Sequence, residues 1–533
     1  MDTANINFSD KSLVPMNTVS TFYVENFGCR ATQADGAAIE HQFQQRGLSR
    51  AAAAVEAEFV VLNTCTVTAA ADQDARAAIR RIHRDNPQAQ IIVTGCYAQR
   101  APAEIAALPG VAKVIGNSHK HELATLALGS FQSFGYTKDL SAEKLPQGNP
   151  SQDDLAFRSE RIIGSSQSHE QSPESSSANS AKFIPSEVLS GDWQLTTENS
   201  IFVSDIFAHT ELLAAPVFEA ANERTRPNLK VQDGCGNRCS FCVIPSVRGN
   251  SRSLNKTRIL EEINALINAG YREVVISGIN LGRWGHDLTA TMERRAPRPS
   301  KVFSNETSYP QKFEDLVRSI LEETTLEKLR ISSVEPMDWS DELIHLMASS
   351  PRIAKHAHVP MQSGSDAVLR RMHRKYRPWH YREKIKKIRA AMPSAAIGAD
   401  VMVGFPGESA AEFSETLRMV DDLPFTYLHV FTYSARPGTP AALMSNHVPA
   451  PVARERNRIL RELAAQKKLA FMRKFLGSGV EAITLNVNNS SHTESLTDNY
   501  LKLRLEGSHP ANRWISATVK EVENGMMLGS VTN

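Results

Sequence analysis

Three thiols within one short loop constrain this chain more than any other feature. The stretch Val231–Ser253 places Cys235, Cys239 and Cys242 in the pattern C-x3-C-x2-C. Thiolate is a soft ligand that selects iron–sulfur clusters, zinc or cuprous ion over hard cations. A structural zinc site takes four ligands, usually as two spaced pairs. No fourth Cys or His lies close in the sequence, the nearest histidines being His209 and His286. Three thiolates on a four-iron cluster leave one iron open, and an open iron can bind a substrate. A zinc loop and a set of reduced structural thiols are the competing readings.

Composition narrows the setting of that loop. At 533 residues the chain has room for several domains. Hydrophobic residues at 41% and charged residues at 22% describe a soluble globular protein. A formal net charge of +2 means that any nucleic-acid surface comes from local patches. Six cysteines in this length argue against a disulfide framework and fit a reducing compartment. The leader Met1–Ser20 lacks an apolar core, and no apolar run is long enough to span a bilayer. A cytoplasmic protein with no membrane partner is expected.

Residues 20–130 alternate strand-like runs (Thr21–Phe27, Glu58–Leu62, Gln90–Val93) with helical ones (Ala34–Arg46, Ala69–Asp85, Ala101–Leu108). Such alternation predicts an α/β fold with a doubly wound parallel sheet. Each strand runs into a cysteine, at Cys29, Cys65 and Cys96. Ligands of such sheets gather at the carboxyl ends of the strands, so three thiols there can converge on one metal centre. A small strand-end cysteine is also an ordinary buried hydrophobe. The census decides between them: the six cysteines divide into two sets of three with none left over.

Between 131 and 225 the pattern dissolves into a linker, Ser-rich over Gly164–Ala181, which cannot bury enough apolar surface to order itself. Within it, Ile201–Ala220 has a short apolar run that suits a strand and a helix bridging two domains. From 226 to 450 six β/α units follow, beginning with the strand before Cys235 and ending at Tyr427–Thr432. Six units are too few to close an eight-stranded barrel, so an open (β/α)6 partial barrel is predicted, with function at the carboxyl ends of its strands. Those ends carry Ser277, Gly278 and Asn280, then Ser332 and Glu335, then Gln362 and Ser363, then Gly404 and Glu408, expected to line a cofactor pocket. Arg294–Gln311 reads as an inserted surface loop. A basic helix over 451–475 leads to short alternating runs over 476–533, the pattern of a small antiparallel barrel suited to RNA.

Taken together, the two cysteine triplets and the terminal Ser495–Tyr500 run resemble the methylthiotransferase family over nearly all of Thr21–Val531. The resemblance implies an N-terminal domain whose Cys29, Cys65 and Cys96 hold an auxiliary [4Fe-4S] cluster. It implies a radical S-adenosylmethionine (SAM) domain whose Cys235, Cys239 and Cys242 hold a second [4Fe-4S] cluster with SAM on its open iron, and a C-terminal TRAM barrel of OB-like form. It further implies a tRNA substrate recognised at the anticodon stem-loop, an electron donor such as flavodoxin or ferredoxin, and a sulfur donor. Within the family, Lys230–Gly234, Arg248–Ser253, Ser277–Gly282 and Arg371–Tyr376 are similar to the branch that acts at C2 of N6-threonylcarbamoyladenosine. Thr32, Ser246 and His373 depart from the usual family residues, though none replaces a thiol. Branches acting on isopentenyladenosine or on a ribosomal-protein aspartate, and a non-catalytic zinc-holding RNA-binding protein, are the alternatives. Arg248, Arg252, Arg371, Arg374 and Lys375 are candidates for phosphate contacts.

Overall fold

In the N-terminal third, the two central apolar strands, Phe59–Thr64 and Gln90–Gly95, are buried on both faces. Phe59–Thr64 (β3) sends Val60 and Leu62 against Ile79 and Ile82 of helix Ala69–Asp85. Its alternate residues, Phe59 and Val61, pack with Ile39 and Phe43 of helix Arg30–Gln45 on the other face. Each such side chain contributes about 1.5–3 kcal/mol by leaving water, and only a sheet covered on both faces allows it. Thr68 caps the second helix by accepting from the Ala71 amide.

This computed structural model describes residues 20–129, 200–209, 212, 225–288, 311–488 and 491–532. Thr21–Asn26 (β1), Ser49–Arg50 (β2), β3, Gln90–Gly95 (β4), Val111–Gly116 (β5) and Ser200–Phe202 (β6) form one parallel sheet ordered β2-β1-β3-β4-β5-β6. The strand order reverses between β1 and β3, the point at which ligands collect in doubly wound sheets. Most of the linker, including its Ser-rich part, lies outside the described residues. In the stretch expected to bridge the domains, Ser200–Phe202 pairs with β5 as the last strand of this sheet, and the turn after it meets the cysteine loop, where the His209 carbonyl accepts from Arg252 at 3.0 Å; most of the remainder lies outside the described residues.

The central strands are Asn228–Lys230 (β7), Glu273–Ser277 (β10), Lys328–Ile331 (β11), His356–His358 (β12), Ala396–Val403 (β13) and Tyr427–Thr432 (β14). They run parallel in two three-stranded sheets, β7-β10-β11 and β12-β13-β14. Single bridges from Leu329 to Ile353 and from Ser333 to His358 join the two into one open barrel wall. The short pair Gln232–Asp233 (β8) and Arg252–Ser253 (β9) closes the base of the cysteine loop. The inserted loop expected over Arg294–Gln311 lies almost wholly outside the described residues.

Helix Ala450–Arg473 runs against β14 and carries the chain to a closed five-stranded barrel of Gly479–Asn488 (β15), His492–Thr497 (β16), Lys502–Glu506 (β17), Trp514–Glu523 (β18) and Met526–Val531 (β19). Its pairings are antiparallel except β17 with β19, which closes the barrel in parallel.

Candidate metal centres

Cys29 is the N-cap of helix Arg30–Gln45, Cys65 follows β3 directly, and Cys96 opens the short helix after β4. The three therefore stand at the carboxyl ends of three adjacent strands, on either side of the switch point. Gly28 makes this closeness possible: its φ is +105°, and a Cβ there would meet Cys65 Cβ at 2.6 Å. Burial, together with the nearby Cys96 and Cys29, pushes the Cys65 thiol up to about 12. Metal binding must therefore displace a held proton from Cys65.

The second triplet occupies the loop after β8. Gly234, at φ +71°, lies against the Asn250 carbonyl, where a Cβ would sit 1.9 Å from oxygen, and the Cys235 amide beside it donates to the Gly249 carbonyl at 3.1 Å. Gln232 ties this loop to the next strand end. Its amide donates to the carbonyls of Asp233 (3.0 Å) and Gly234 (2.8 Å) and to Ser251 Oγ (2.9 Å), while its carbonyl accepts from the Asn280 amide at 2.7 Å. Asn280 Nδ2 then lies 3.7 Å from Cys235 Sγ, and Arg374 Nη1 lies 3.4 Å from Cys239 Sγ. Burial pushes the Cys242 thiol up to about 12. Among the described residues no three Cys, His, Asp or Glu side chains are gathered as a single ion needs.

The turn after Cys242 packs against the first triplet. Cys96 packs on Val243 and Val247, which follow Cys242. Asn117 spans the same seam, donating to the Val247 carbonyl at 2.7 Å and lying 3.6 Å from Cys96 Sγ. Beneath it lies a buried ionic network that sequence patterning does not show. Asp35 pairs with Lys120 (3.0 Å), Arg248 (2.9 Å) and Lys230, and Asp233 pairs with Lys230 and Arg248, both at 2.9 Å. Burial pushes both carboxyls up, but the surrounding cations outweigh it and hold them well below the usual carboxylate range. With Arg252 4.0 Å from Asp233, four cations face two carboxylates, so positive charge is left in excess beside Cys29 and Cys96, whose thiols feel Arg248. That excess suits a negatively charged thiolate cluster.

This burial corrects the phosphate-contact expectation for two residues. Arg248 is 2% exposed and Arg374, paired with Glu335, is 7% exposed, so neither meets an RNA backbone. Arg371 is held by Glu412 at 3.0 Å. Lys375 is exposed.

The nine expected pocket residues divide. Ser277 and Asn280 sit above the cysteine loop, and Ser277 Oγ and Asn280 Oδ1 are buried with no hydrogen-bond partner. Buried polar atoms of this kind are satisfied by a ligand or water. Gly278 packs on Gln232, the Ser332 amide donates to the Ile276 carbonyl, and Glu335 reaches Cys239 through Arg374. Gln362, beyond β12, takes φ +62° and bridges to Val401 of β13. Ser363, Gly404 and Glu408 are engaged elsewhere. Ser363 Oγ pairs with Thr416 Oγ1 at 3.1 Å. Glu408 accepts from the Gly404 amide at 2.6 Å and from Arg456 at 2.7 Å, which anchors helix Ala450–Arg473. The fit of a [4Fe-4S] cluster with SAM therefore rests on the thiols, Ser277, Asn280 and their neighbours.

A cleft separates β14, helix Ala450–Arg473 and the terminal barrel. Arg226, Arg461, Lys468 and Lys502 line it with Tyr427, His429 and Tyr500. Among the described residues, Arg461, Lys468 and Lys502 have no ion-pair partner, unlike Arg226, which meets Glu273 at 3.5 Å. Unpaired cations bordered by rings suit a nucleic-acid backbone and its bases. Replacing Lys468 and Lys502 with Ala should lower RNA affinity and flatten its dependence on salt by about one log unit per lost contact, as read by a salt titration of binding.

Two family descriptions match the chain: Uncharacterized protein family UPF0004 over residues 21–116, and the Radical SAM superfamily over residues 229–420. The chain is 31% identical to the "Threonylcarbamoyladenosine tRNA methylthiotransferase MtaB" of Bacillus subtilis, covering 92% of this chain and 91% of the relative. It is also 31% identical to the protein of that name from Aquifex aeolicus, with 91% and 96% covered. A "tRNA-2-methylthio-N(6)-dimethylallyladenosine synthase" of Thermobifida fusca is 29% identical, with 88% and 78% covered. The superfamily match fits the loop of Cys235, Cys239 and Cys242, and iron–sulfur and SAM are the cofactors it brings. Among the described residues no helix is long and apolar enough to cross a membrane. Matched over 92% of its length by a methylthiotransferase 31% identical to it, and carrying a strand-end triplet in the first matched region and a loop triplet in the second, the chain belongs to the radical SAM methylthiotransferase family.

Proposed function

We propose that this protein adds a methylthio group to C2 of N6-threonylcarbamoyladenosine, next to the anticodon of tRNA, in the cytoplasm. The observation that carries the reading is the packing of Cys96 on Val243 and Val247, which holds the two thiol triplets on either side of one helical turn. The names of the relatives and the basic, ring-lined cleft support the substrate. Cys235, Cys239 and Cys242 hold one [4Fe-4S] cluster, and Cys29, Cys65 and Cys96 hold the other. When bound, the first cluster with SAM would supply abstraction of hydrogen from the unreactive C2, and the second would supply the sulfur, with its methyl group drawn from a second SAM.

No side-chain acid or base removes such a hydrogen at neutral pH, so the residues bind, orient and exclude. Ser277 and Asn280 offer their unsatisfied atoms to the amino-acid end of SAM, with Gly278, Ser332, Glu335 and Gln362 around it. Arg374 steadies the Cys239 thiolate, and Arg248 offsets the charge of the other triplet. Arg461, Lys468 and Lys502 take the RNA backbone. Electrons come from a small donor such as flavodoxin or ferredoxin.

Replacing Cys65 with Ala should leave reductive SAM cleavage intact and stop formation of methylthio product; undiminished product would refute its role. The function as a whole is tested by mass spectrometry of tRNA nucleosides from a host stripped of its own methylthiotransferases. Methylthio-threonylcarbamoyladenosine should appear only with this gene. Methylthio-isopentenyladenosine in its place would move the substrate to the other tRNA branch, and neither product would move it to the ribosomal-protein aspartate.

A further inference from the structure

The wall of the partial barrel carries polar rings where parallel strands are usually apolar. His356 and His358 alternate along β12, Asp400 lies on β13, and Tyr427 and His429 alternate along β14. Register sets them side by side: His358 and Tyr427 both pair with Gly398, and Asp400 pairs with His429. Gly398 leaves space that the Tyr427 ring fills, since a Cβ there would lie 2.1 Å from Tyr427 Cζ. The Tyr427 ring stands 6.0 Å from His358 and 5.3 Å from His429, the latter at 73°.

Polar atoms around these rings are left over. His358 Nδ1 shares a hydrogen with Ser333 Oγ at 2.6 Å, while its buried Nε2 makes no hydrogen bond and lies 3.4 Å from the Asp400 carboxylate. Arg30, the residue after Cys29, enters from the N-terminal domain. Its one side-chain hydrogen bond is to Tyr500 Oη at 3.0 Å, and among the described residues it has no carboxylate partner. Its charge reaches Tyr427, His429 and His356. Tyr500 is presented by a left-handed turn, φ +68°, that docks through Asp498 on Lys328 and Arg330. Strained non-glycine backbone of this kind is kept where the surroundings impose it, and it clusters at ligand sites.

We infer that this ring cluster is the seat of the target nucleoside, with the adenine against Tyr427 and His429 and the anionic N6 arm on Arg30. The inference rests on the tRNA reading above and adds the residues that tell a carboxylate-bearing arm from an apolar one. An unpaired guanidinium recognises a carboxylate by charge-assisted hydrogen bonds, while ring faces accept any base. Placement beside Cys29 also puts the base within reach of the triplet assigned to carry sulfur.

The test is equilibrium binding of the full chain to an anticodon stem-loop RNA carrying N6-threonylcarbamoyladenosine, and to the same RNA with plain adenosine. The unmodified chain should prefer the first by about tenfold, the scale of one charge-assisted contact. Arg30→Gln should erase that preference while leaving affinity for the plain RNA nearly unchanged. Tyr500→Phe removes only the bond that ties Arg30 and should keep the preference, which separates a ligand role from a structural one. His429→Ala should weaken both RNAs by about fivefold or more. A preference that survives Arg30→Gln, or an equal loss for both RNAs, overturns the placement while the tRNA reading stands. No preference in the unmodified chain overturns the threonylcarbamoyladenosine reading itself, and this inference with it.

Discussion

Replacing Cys239 with Ala should give a folded protein that has lost about half of its iron and all reductive cleavage of SAM. The two four-iron clusters proposed above would bring about eight irons to the chain, and removing one of three ligands from the loop cluster would cost about four of them. Folding survives because the thiol is not what satisfies its neighbour: Arg374 keeps the Glu335 carboxylate when Cys239 Sγ is gone. The other triplet, on separate strands, would keep the cluster proposed for it. Iron and acid-labile sulfide analysis of anaerobically purified protein measures the first effect, and chromatography of methionine and 5′-deoxyadenosine measures the second. Full iron content, or undiminished deoxyadenosine, would sink the assignment of that loop.

A second large effect is expected in stability. Asp35→Asn leaves Lys120, Lys230 and Arg248 crowded together with Asp233 as the remaining carboxylate. Breaking a buried ion pair by removing one partner costs about 3–5 kcal/mol, because an uncompensated charge stays out of water. Thermal unfolding should shift down by roughly 10 °C. By contrast, the pairs of Arg458 with Glu455 and Glu462 are exposed on both sides, and removing Arg458 should leave thermal unfolding nearly unchanged. The pH dependence has a definite sign. Asp35 and Asp233 are held below their ordinary value of 3.8, so their contribution is complete above that value and is lost as the pH falls through lower values. Thermal scans between pH 3 and pH 7 should show the unmodified chain losing stability in acid, and Asp35→Asn losing less of it. Equal acid sensitivity in the two proteins would contradict the network's role.

Much of this was legible in the residues themselves. Thiol spacing is a local property, and so are the periods that separate strand from helix, so both triplets and the order of the elements can be read along the chain. The rings of the barrel wall left a trace too: His356 with His358, and Tyr427 with His429, put polar side chains at alternate positions in strands otherwise apolar. Of the residues expected to line a pocket, Asn280 lies 3.7 Å from Cys235 Sγ, and Glu408 shows where such reasoning stops. A glutamate after a strand end looks the same whether it meets a ligand or, as here, an arginine from a helix far along the chain.

The sequence by itself determined that two sets of three thiols would stand at strand ends and in one loop, on an α/β scaffold followed by a small barrel. Those features follow from local spacing and periodicity. Only the tertiary structure decided that Cys96 would lie against the residues following Cys242, that Asp35 would meet Arg248, and that Tyr500 of the last domain would reach Arg30 of the first. The reason is physical. A charge or a ring is soluble or buried according to what long-range packing brings against it, and the cost of desolvation that selects its partner exists only once the chain has closed around it.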